Sequence, residues 1–250
     1  MRVDHPEPAD RPSQPTADHP LIPNGSPRLP SDHPPPDIPD IPKTADYRAA
    51  VDAAYREYAI DHGCTRVREI EEHVVTPAMR RIESEDPDRH LVGLDHRLKG
   101  KARLTDKVTE AMEERGHSAE EAFRMVKDAI RYTFQYPESA YTQSVHADCD
   151  RLKAAGFDLI DRKNSWEHAE YKGINSRWRD PGSGQTFEVQ FHTQASFEAK
   201  QETHLAYERL RSHPDNEDEV RQLRAYQREV SAKIPVPPGA PGIPSYRREA

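Results

Sequence analysis

Proline is concentrated at the two ends of this 250-residue chain. Thirteen of the 23 prolines lie between Pro6 and Pro42 and five lie between Pro235 and Pro244, which leaves five for the residues between them. Because proline fixes φ and has no backbone N–H, neither end can form a regular helix or a sheet ladder. We therefore predict a Pro-rich disordered linker at 1–43, a folded domain at 44–234 and a second Pro-rich tail at 235–250.

The composition excludes several classes of protein. No stretch approaches the roughly 20 apolar residues of a membrane helix, and no apolar segment follows the start, so we predict neither a membrane protein nor a secretory leader. Two cysteines are too few for a disulfide framework or a structural zinc site. The net charge of −8 disfavours non-specific nucleic-acid binding by the chain as a whole. A cytoplasmic location is the default expectation, and export by a non-classical route is the alternative.

The order of predicted elements indicates an α+β fold, a mixed β-sheet flanked by helices. The N-terminal part of the domain is predicted to be helical from Thr44 to about His62 and over 65–75, with Thr76 as the N-cap of a third helix. Ser118 and Glu121 form the pattern of a capping box for another short helix. Longer helices are predicted at about 103–114, 138–154, 195–211 and 216–232. Strands are predicted at 128–135, 156–162 and 186–193, with a short extended piece at 91–99 and a polar loop before the last strand.

Residues 187–193 read Phe-Glu-Val-Gln-Phe-His-Thr, in which apolar and polar residues alternate. A strand with this pattern buries its three apolar side chains and places Glu188, Gln190 and His192 together on the other face. A carboxylate, an amide and an imidazole in one row can form the floor of an active site. The alternative is an ordinary solvent-exposed face.

A run of cations precedes these elements. Five basic residues lie between 97 and 107, against one Asp: Arg97, Lys99, Lys101, Arg103 and Lys107. Positions 97 and 99 would project to one side of an extended segment, and positions 103 and 107 would share one face of a helix. A local cationic site on an acidic protein fits a small polyanion such as a nucleotide. The alternative is a solvated, lysine-rich surface.

Three acidic residues complete the candidate chemistry. Asp128 lies where a helix gives way to a strand, and carboxylates from two strands of one sheet can hold Mg²⁺, which takes only one or two of them. Glu198 and Glu202 lie one helical turn apart, which favours either solvent exposure or a contact of Glu202 with a ligand.

The order of these motifs resembles the synthetase domain of the RelA/SpoT family, the enzymes that make (p)ppGpp-like alarmones. The resemblance covers roughly residues 90–210, and it is nearest to single-domain actinobacterial nucleotide 3′-pyrophosphokinases and toxic small alarmone synthetases. The motifs are Arg97-x-Lys99 with Lys107, the strand-opening Asp128, Lys-Gly-x-Asn-Ser at 172–176, Glu-Val-Gln-x-x-Thr at 188–193, and Gln-Glu-x-x-x-Ala at 201–206. The resemblance implies a nucleotidyltransferase-like fold.

It also implies roles for the matching residues. Arg97, Lys99 and Lys107 would grip the ATP donor. Asp128 and Glu188 would be the catalytic pair and would hold Mg²⁺, with Glu188 activating the acceptor hydroxyl. The remaining members of the predicted nucleotide-binding set are Arg103, Arg131, Lys163, Lys172, Asn175, Gln190, His192 and Glu202.

The sequence departs from the family pattern at three positions. Ile174 stands where the family has the Tyr that stacks on guanine, so guanine specificity is in doubt. Arg131 follows Asp128 by three residues instead of five, and strict strand periodicity would place the two on opposite faces. His192 stands where the family strand has an Arg.

The implied reaction transfers the β,γ-pyrophosphate of ATP to the 3′-hydroxyl of a purine nucleotide. Its products would be AMP and a (p)ppGpp- or (p)ppApp-type alarmone. A role as a toxin or effector, with an immunity or antitoxin protein as partner, is a further expectation. Two alternatives are a toxin that pyrophosphorylates the tRNA 3′ end and a catalytically silent nucleotide-binding module.

Overall fold

The structure is a computed structural model that describes residues 45–213 and 215–248, so the predicted linker at 1–43 lies outside the described residues. The described strands are β1 His90–Val92, β2 Arg131–Tyr136, β3 Asp158–Asn164, β4 Ile174–Arg179, β5 Thr186–Thr193 and β6 Tyr246–Arg247. They form one sheet in the order β1-β2-β5-β4-β3-β6. The β2 and β5 strands pair in parallel and the other neighbours pair antiparallel. The predicted α+β fold with a mixed sheet is therefore confirmed.

Helices surround this sheet. Those described are α1 Ala45–Ile70, α2 Thr76–Ser84, α3 Lys101–Arg115, α4 Ala119–Met125, α5 Tyr141–Ala154, α6 Gln194–Glu202, α7 His204–Ser212 and α8 Glu217–Ala232. The capping box of Ser118 and Glu121 is confirmed at the start of α4. In the described part of the chain, every helix is too short or too polar to cross a membrane.

The predicted N-cap at Thr76 is wrong. A π-helical turn, Glu71–Val75, joins α1 to α2 without leaving helical geometry, so Thr76 is already inside the helix. Its hydroxyl donates to the carboxylate of Glu71 instead of capping a helix end.

The apolar face of the sheet forms the centre of the core. Phe187, Val189 and Phe191 of β5 are fully buried, as the alternation predicts. The rings of Phe134 on β2 and Phe191 stack with their centroids 6.4 Å apart. Each such side chain contributes about 1.5–3 kcal/mol by leaving water. This packing fixes β2 and β5 side by side, so that their polar side chains share the opposite face.

The segment predicted as a polar loop contains a strand, β4. Its residues Ile174, Ser176 and Trp178 are buried in alternation. The Ser176 hydroxyl donates to the Val189 carbonyl at 2.8 Å and accepts from the Trp178 indole at 2.8 Å. A serine with both partners in place fits the core without the cost of an unsatisfied polar group, which explains why this polar sequence forms a central strand.

The predicted end of the domain near Ile234 is also wrong. Ala240 and Ile243 are buried, and the Asn164 side-chain amide donates to the backbone carbonyl of each at 2.8 Å. The β6 strand then pairs with β3. Proline removes backbone donors but keeps its carbonyl groups, so a Pro-rich segment can still pack by accepting hydrogen bonds.

Candidate functional site

The polar face of β2 and β5 carries a hydrogen-bonded row. The register places Arg131 beside Glu188 and Thr133 beside Gln190. The Thr133 hydroxyl donates to Gln190 Oε1 at 3.3 Å, and Gln190 Nε2 donates to Glu188 Oε1 at 2.8 Å. We call Glu188, Gln190 and His192 the polar row. Its predicted placement on one face of the strand is confirmed.

Helix α6 covers much of this row. Gln190 and His192 are 4% and 0% exposed, so the alternative of a solvent-exposed face is wrong. Thr193 ends β5 and caps α6, accepting from the Ser196 N–H, and this turn folds the helix back over the strand. The Ser196 hydroxyl then lies 2.9 Å from His192 Nδ1. The row is therefore largely buried, and charge interactions within it are stronger than in water.

Asp128 is held between two lysines. Its Oδ2 lies 2.8 Å from Lys99 Nζ and its Oδ1 lies 2.8 Å from Lys107 Nζ. The Lys99 N–H donates to the Ala129 carbonyl at 2.9 Å, which fixes the Lys99 segment beside the start of β2. Burial alone would raise the Asp128 pKa, but hydrogen bonds and positive charge from Lys107 and Lys99 outweigh it and lower the pKa to about 2. Asp128 is therefore an anion at every physiological pH.

Glu188 shares this electrostatic environment. Burial raises its pKa most, the Gln190 hydrogen bond and the charge of Arg131 oppose that rise, and the negative charge of Asp128 adds to it. Asp128 lies in the turn before β2 and not in the strand. Strand periodicity therefore does not apply to Asp128 and gives no basis for placing Arg131 on the opposite face from it. Both carboxylates influence one region beside Arg131.

Arg97 points toward a different set of groups from Lys99. Its Nε donates to Glu71 Oε1 at 2.8 Å, and the buried Glu71 also accepts from the Tyr132 hydroxyl at 2.7 Å. The predicted common projection of residues 97 and 99 is wrong, because Arg97 has helical backbone angles (φ −67°, ψ −30°) at the end of a 3₁₀ turn. The side chain of Arg97 is still 44% exposed. Part of its guanidinium therefore remains open to a ligand.

The loop before β4 supports the polar row at its buried end. The Tyr171 hydroxyl donates to Asn175 Oδ1 at 2.8 Å and lies 2.9 Å from His192 Nε2. Burial, followed by the nearby charge of Lys200, keeps the His192 pKa well below its ordinary value, so the imidazole is neutral. His192 is thus a hydrogen-bonding group here and not a cation.

Gly173 makes this arrangement possible. Its φ is +143°, and a Cβ at this position would lie 2.7 Å from His192 Cε1. We predict that Gly173→Ala lowers the free energy of unfolding by about 2 kcal/mol or more, through backbone strain and the displaced ring. Urea denaturation measures this loss. Gly182→Ala is the control, because that φ is not positive and the nearest atom to a new Cβ is 3.6 Å away. Equal stability of the two variants would contradict the prediction.

Other predicted binding residues are not joined to the polar row. Lys163 is exposed, and Lys172 Nζ donates to the Trp166 carbonyl at 2.9 Å. Arg103 lies on α3 and pairs with Glu208 of α7 at 3.1 Å. The exposed Glu202 accepts from the hydroxyl of Tyr226 on α8 at 3.2 Å.

Lys200 is the site residue that our sequence analysis missed. Its Nζ donates to Gln190 Oε1 at 2.5 Å, and it lies 5.4 Å from the centre of the Phe197 ring. Burial and, to a smaller extent, the charge of Arg131 lower its pKa to about 8, against the opposing charge of Glu188. Lys200 lies four positions after the buried Ser196 and so shares its face of α6, but only the structure shows that this face covers β5.

Asp128 and Glu188 supply the one or two carboxylates that a protein-bound Mg²⁺ commonly takes. Among the described residues there is no cluster of three or more His, Cys, Asp or Glu side chains that could hold a metal ion. Mg²⁺ commonly takes one or two carboxylates and completes its shell with water and phosphate oxygens. Each oxygen of Asp128 accepts from one lysine and Glu188 Oε1 accepts from Gln190, and carboxylate oxygens have further lone pairs for a metal. The chemistry of these donors is therefore compatible with Mg²⁺.

No protein-family model and no curated protein matches the chain. Solved structures do match it. Small alarmone synthetase 1 from Bacillus subtilis is 16% identical, over 66% of this chain and 86% of that one, with a TM-score of 0.44. Small alarmone synthetase 2 from the same organism is 12% identical, over 69% and 90%, with a TM-score of 0.48. A GTP pyrophosphokinase family protein from Streptococcus pneumoniae is 16% identical, over 76% and 89%, with a TM-score of 0.41.

Proposed function

We propose that this chain is a nucleotide 3′-pyrophosphokinase that uses ATP as donor and a purine nucleotide as acceptor. The observation that carries the proposal is Asp128, which is fixed between Lys99 and Lys107 and is electrostatically linked to Glu188 on the polar row. Positive side chains around two carboxylates match the needs of a phosphate-bearing substrate. The order of sequence motifs supports the same reaction.

The reaction is a displacement at phosphorus. The acceptor 3′-oxygen forms a bond to the β-phosphorus of ATP, the bond from that phosphorus to the α,β-bridging oxygen breaks, and AMP leaves with the electron pair. Charge develops on phosphate oxygens, so positioning and electrostatic stabilisation supply most of the catalysis. Lys99 and Lys107 would neutralise the donor phosphates, with Arg97 beside them.

Glu188 would accept the proton of the attacking hydroxyl, directly or through a water. Its hydrogen bond from Gln190 fixes the orientation of the carboxylate. A bound Mg²⁺, held by Asp128 and Glu188, would supply further neutralisation of the donor phosphates. The low pKa of Asp128 keeps it ionised, as a metal ligand must be.

The test follows the label from γ-³²P-ATP with the purified chain and Mg²⁺. Separate reactions contain GDP, GTP, ADP or bulk tRNA, and a reaction without acceptor is the control. We expect label in a nucleotide that migrates as the 3′-pyrophosphorylated product, with one AMP released per transfer. Label in tRNA alone would replace the nucleotide acceptor with the tRNA 3′ end. Nucleotide binding without Mg²⁺ and without AMP release would overturn the enzyme proposal and favour a binding module.

A further inference from the structure

The site contains two pairs of cations with different partners. Lys99 and Lys107 each form an ion pair with Asp128. Arg131 and Lys200 instead lie beside Glu188 and Gln190, and the charge of Arg131 acts on Lys200. Lys99 and Lys107 therefore already have a carboxylate partner within the protein.

The second pair, Arg131 and Lys200, forms no such ion pair among the described residues. In the described part of the chain, no carboxylate oxygen lies within ion-pair distance of Lys200 Nζ or of the Arg131 guanidinium. The closest polar partner of Lys200 is the neutral amide oxygen of Gln190, at 2.5 Å. Glu188 influences both cations electrostatically but bonds to Gln190. Two neighbouring, partly buried cations without a bonded carboxylate carry a free-energy cost, which an anionic ligand would remove.

We propose that Lys200, together with Arg131, binds the phosphate groups of the acceptor nucleotide. The assignment to the acceptor rests on the proposed function, because Lys99 and Lys107 are placed for the donor phosphates. It also rests on location, since the second pair lies beside Glu188, the group that would take the proton from the acceptor hydroxyl. Lys200 would therefore favour acceptors with 5′-phosphates over an unphosphorylated nucleoside.

Lys200→Met tests this role, because methionine keeps an unbranched side chain and removes the charge. We expect the KM for the acceptor to rise about 10- to 100-fold, the size expected for the loss of a charge-assisted hydrogen bond. The KM for ATP should stay the same. The thermal unfolding midpoint of the free protein should stay equal or rise, because a partly buried charge without a bonded carboxylate is removed. Lys200→Arg should recover much of the acceptor affinity.

Lys153→Met is the matched control, because Lys153 is 56% exposed and pairs with Asp150 on α5. Its kinetics should equal those of the wild type. A rise in the KM for ATP in Lys200→Met would assign the residue to the donor and overturn the proposal. A lower unfolding midpoint with both KM values unchanged would show a structural role and would also overturn it.

Calorimetric titration with GDP, GTP or ADP separates this inference from the proposed function. If the wild type binds these nucleotides without any transfer, and Lys200→Met loses the binding, the proposed reaction fails while the phosphate site stands. If the wild type transfers pyrophosphate and Lys200→Met binds the acceptor normally, only the phosphate site fails.

Discussion

Replacing Asp128 with asparagine should reduce pyrophosphate transfer at least about 100-fold, because the site loses the charge that orders two lysines and would hold the metal. The two ion-pair distances, 2.8 Å each, show that the carboxylate orients Lys99 and Lys107 together. An amide has the same shape, so the fold should persist. Initial rates with ATP and acceptor at saturation measure the loss, and circular dichroism checks the fold.

The same variant should be slightly less stable than the wild type. The folded-state pKa of Asp128, about 2, lies below the ordinary value of 3.8. The ionised form therefore contributes at most about 2.5 kcal/mol to stability. This contribution is fully present above the unfolded pKa and is lost as the pH falls from about 4 towards 2. Urea denaturation at a series of pH values should show the difference between the variant and the wild type shrinking over that window.

Asp150→Asn is the control for both measurements, because Asp150 is 76% exposed and belongs to an ordinary surface ion pair. Such pairs contribute little to stability. If Asp128→Asn kept more than half of the wild-type rate while Asp150→Asn behaved as the wild type, Asp128 would have no part in the reaction.

Local pattern was enough to predict the strand that carries the polar row. In residues 187–193 every second side chain is apolar, and one face of that strand must enter the core. The neighbouring strand β4 has the same alternation in Ile174, Ser176 and Trp178. It was missed because Gly173 and the polar residues after it also fit a phosphate-binding loop. Residue types alone do not distinguish a buried strand from a phosphate-binding loop when the segment contains as many polar as apolar side chains.

Contacts between residues far apart in the chain could not be predicted. Arg97 bonds to Glu71, which is 26 residues earlier, and the site therefore holds Arg97 apart from Lys99. Lys200 reaches Gln190 only because Thr193 turns the chain back over β5. The buried C-terminal segment depends on Asn164 donating to carbonyl groups more than 70 residues away. Each contact follows from tertiary packing, which sequence spacing does not contain.

Replacing Glu188 with glutamine should slow transfer about 100- to 10,000-fold, because the site loses its candidate base. Glutamine keeps the size of the side chain, and its carbonyl oxygen can still accept from Gln190. The free protein should fold normally, and its stability should stay equal or rise, because burial and the charge of Asp128 both disfavour the ionised carboxylate. Single-turnover product formation and thermal unfolding measure the two effects.

The acceptor affinity of the same variant distinguishes a role of Glu188 in the chemical step from a role in substrate binding. Because Glu188 would act on the reacting hydroxyl, Glu188→Gln should lower kcat while the affinity for the acceptor, measured by calorimetry, changes little. Glu229→Gln is the control, since that carboxylate on α8 is 70% exposed and pairs with Lys233 just after the helix. A normal rate in Glu188→Gln would remove Glu188 from the reaction. A normal rate combined with weak acceptor binding would show instead that the polar row only holds the substrate.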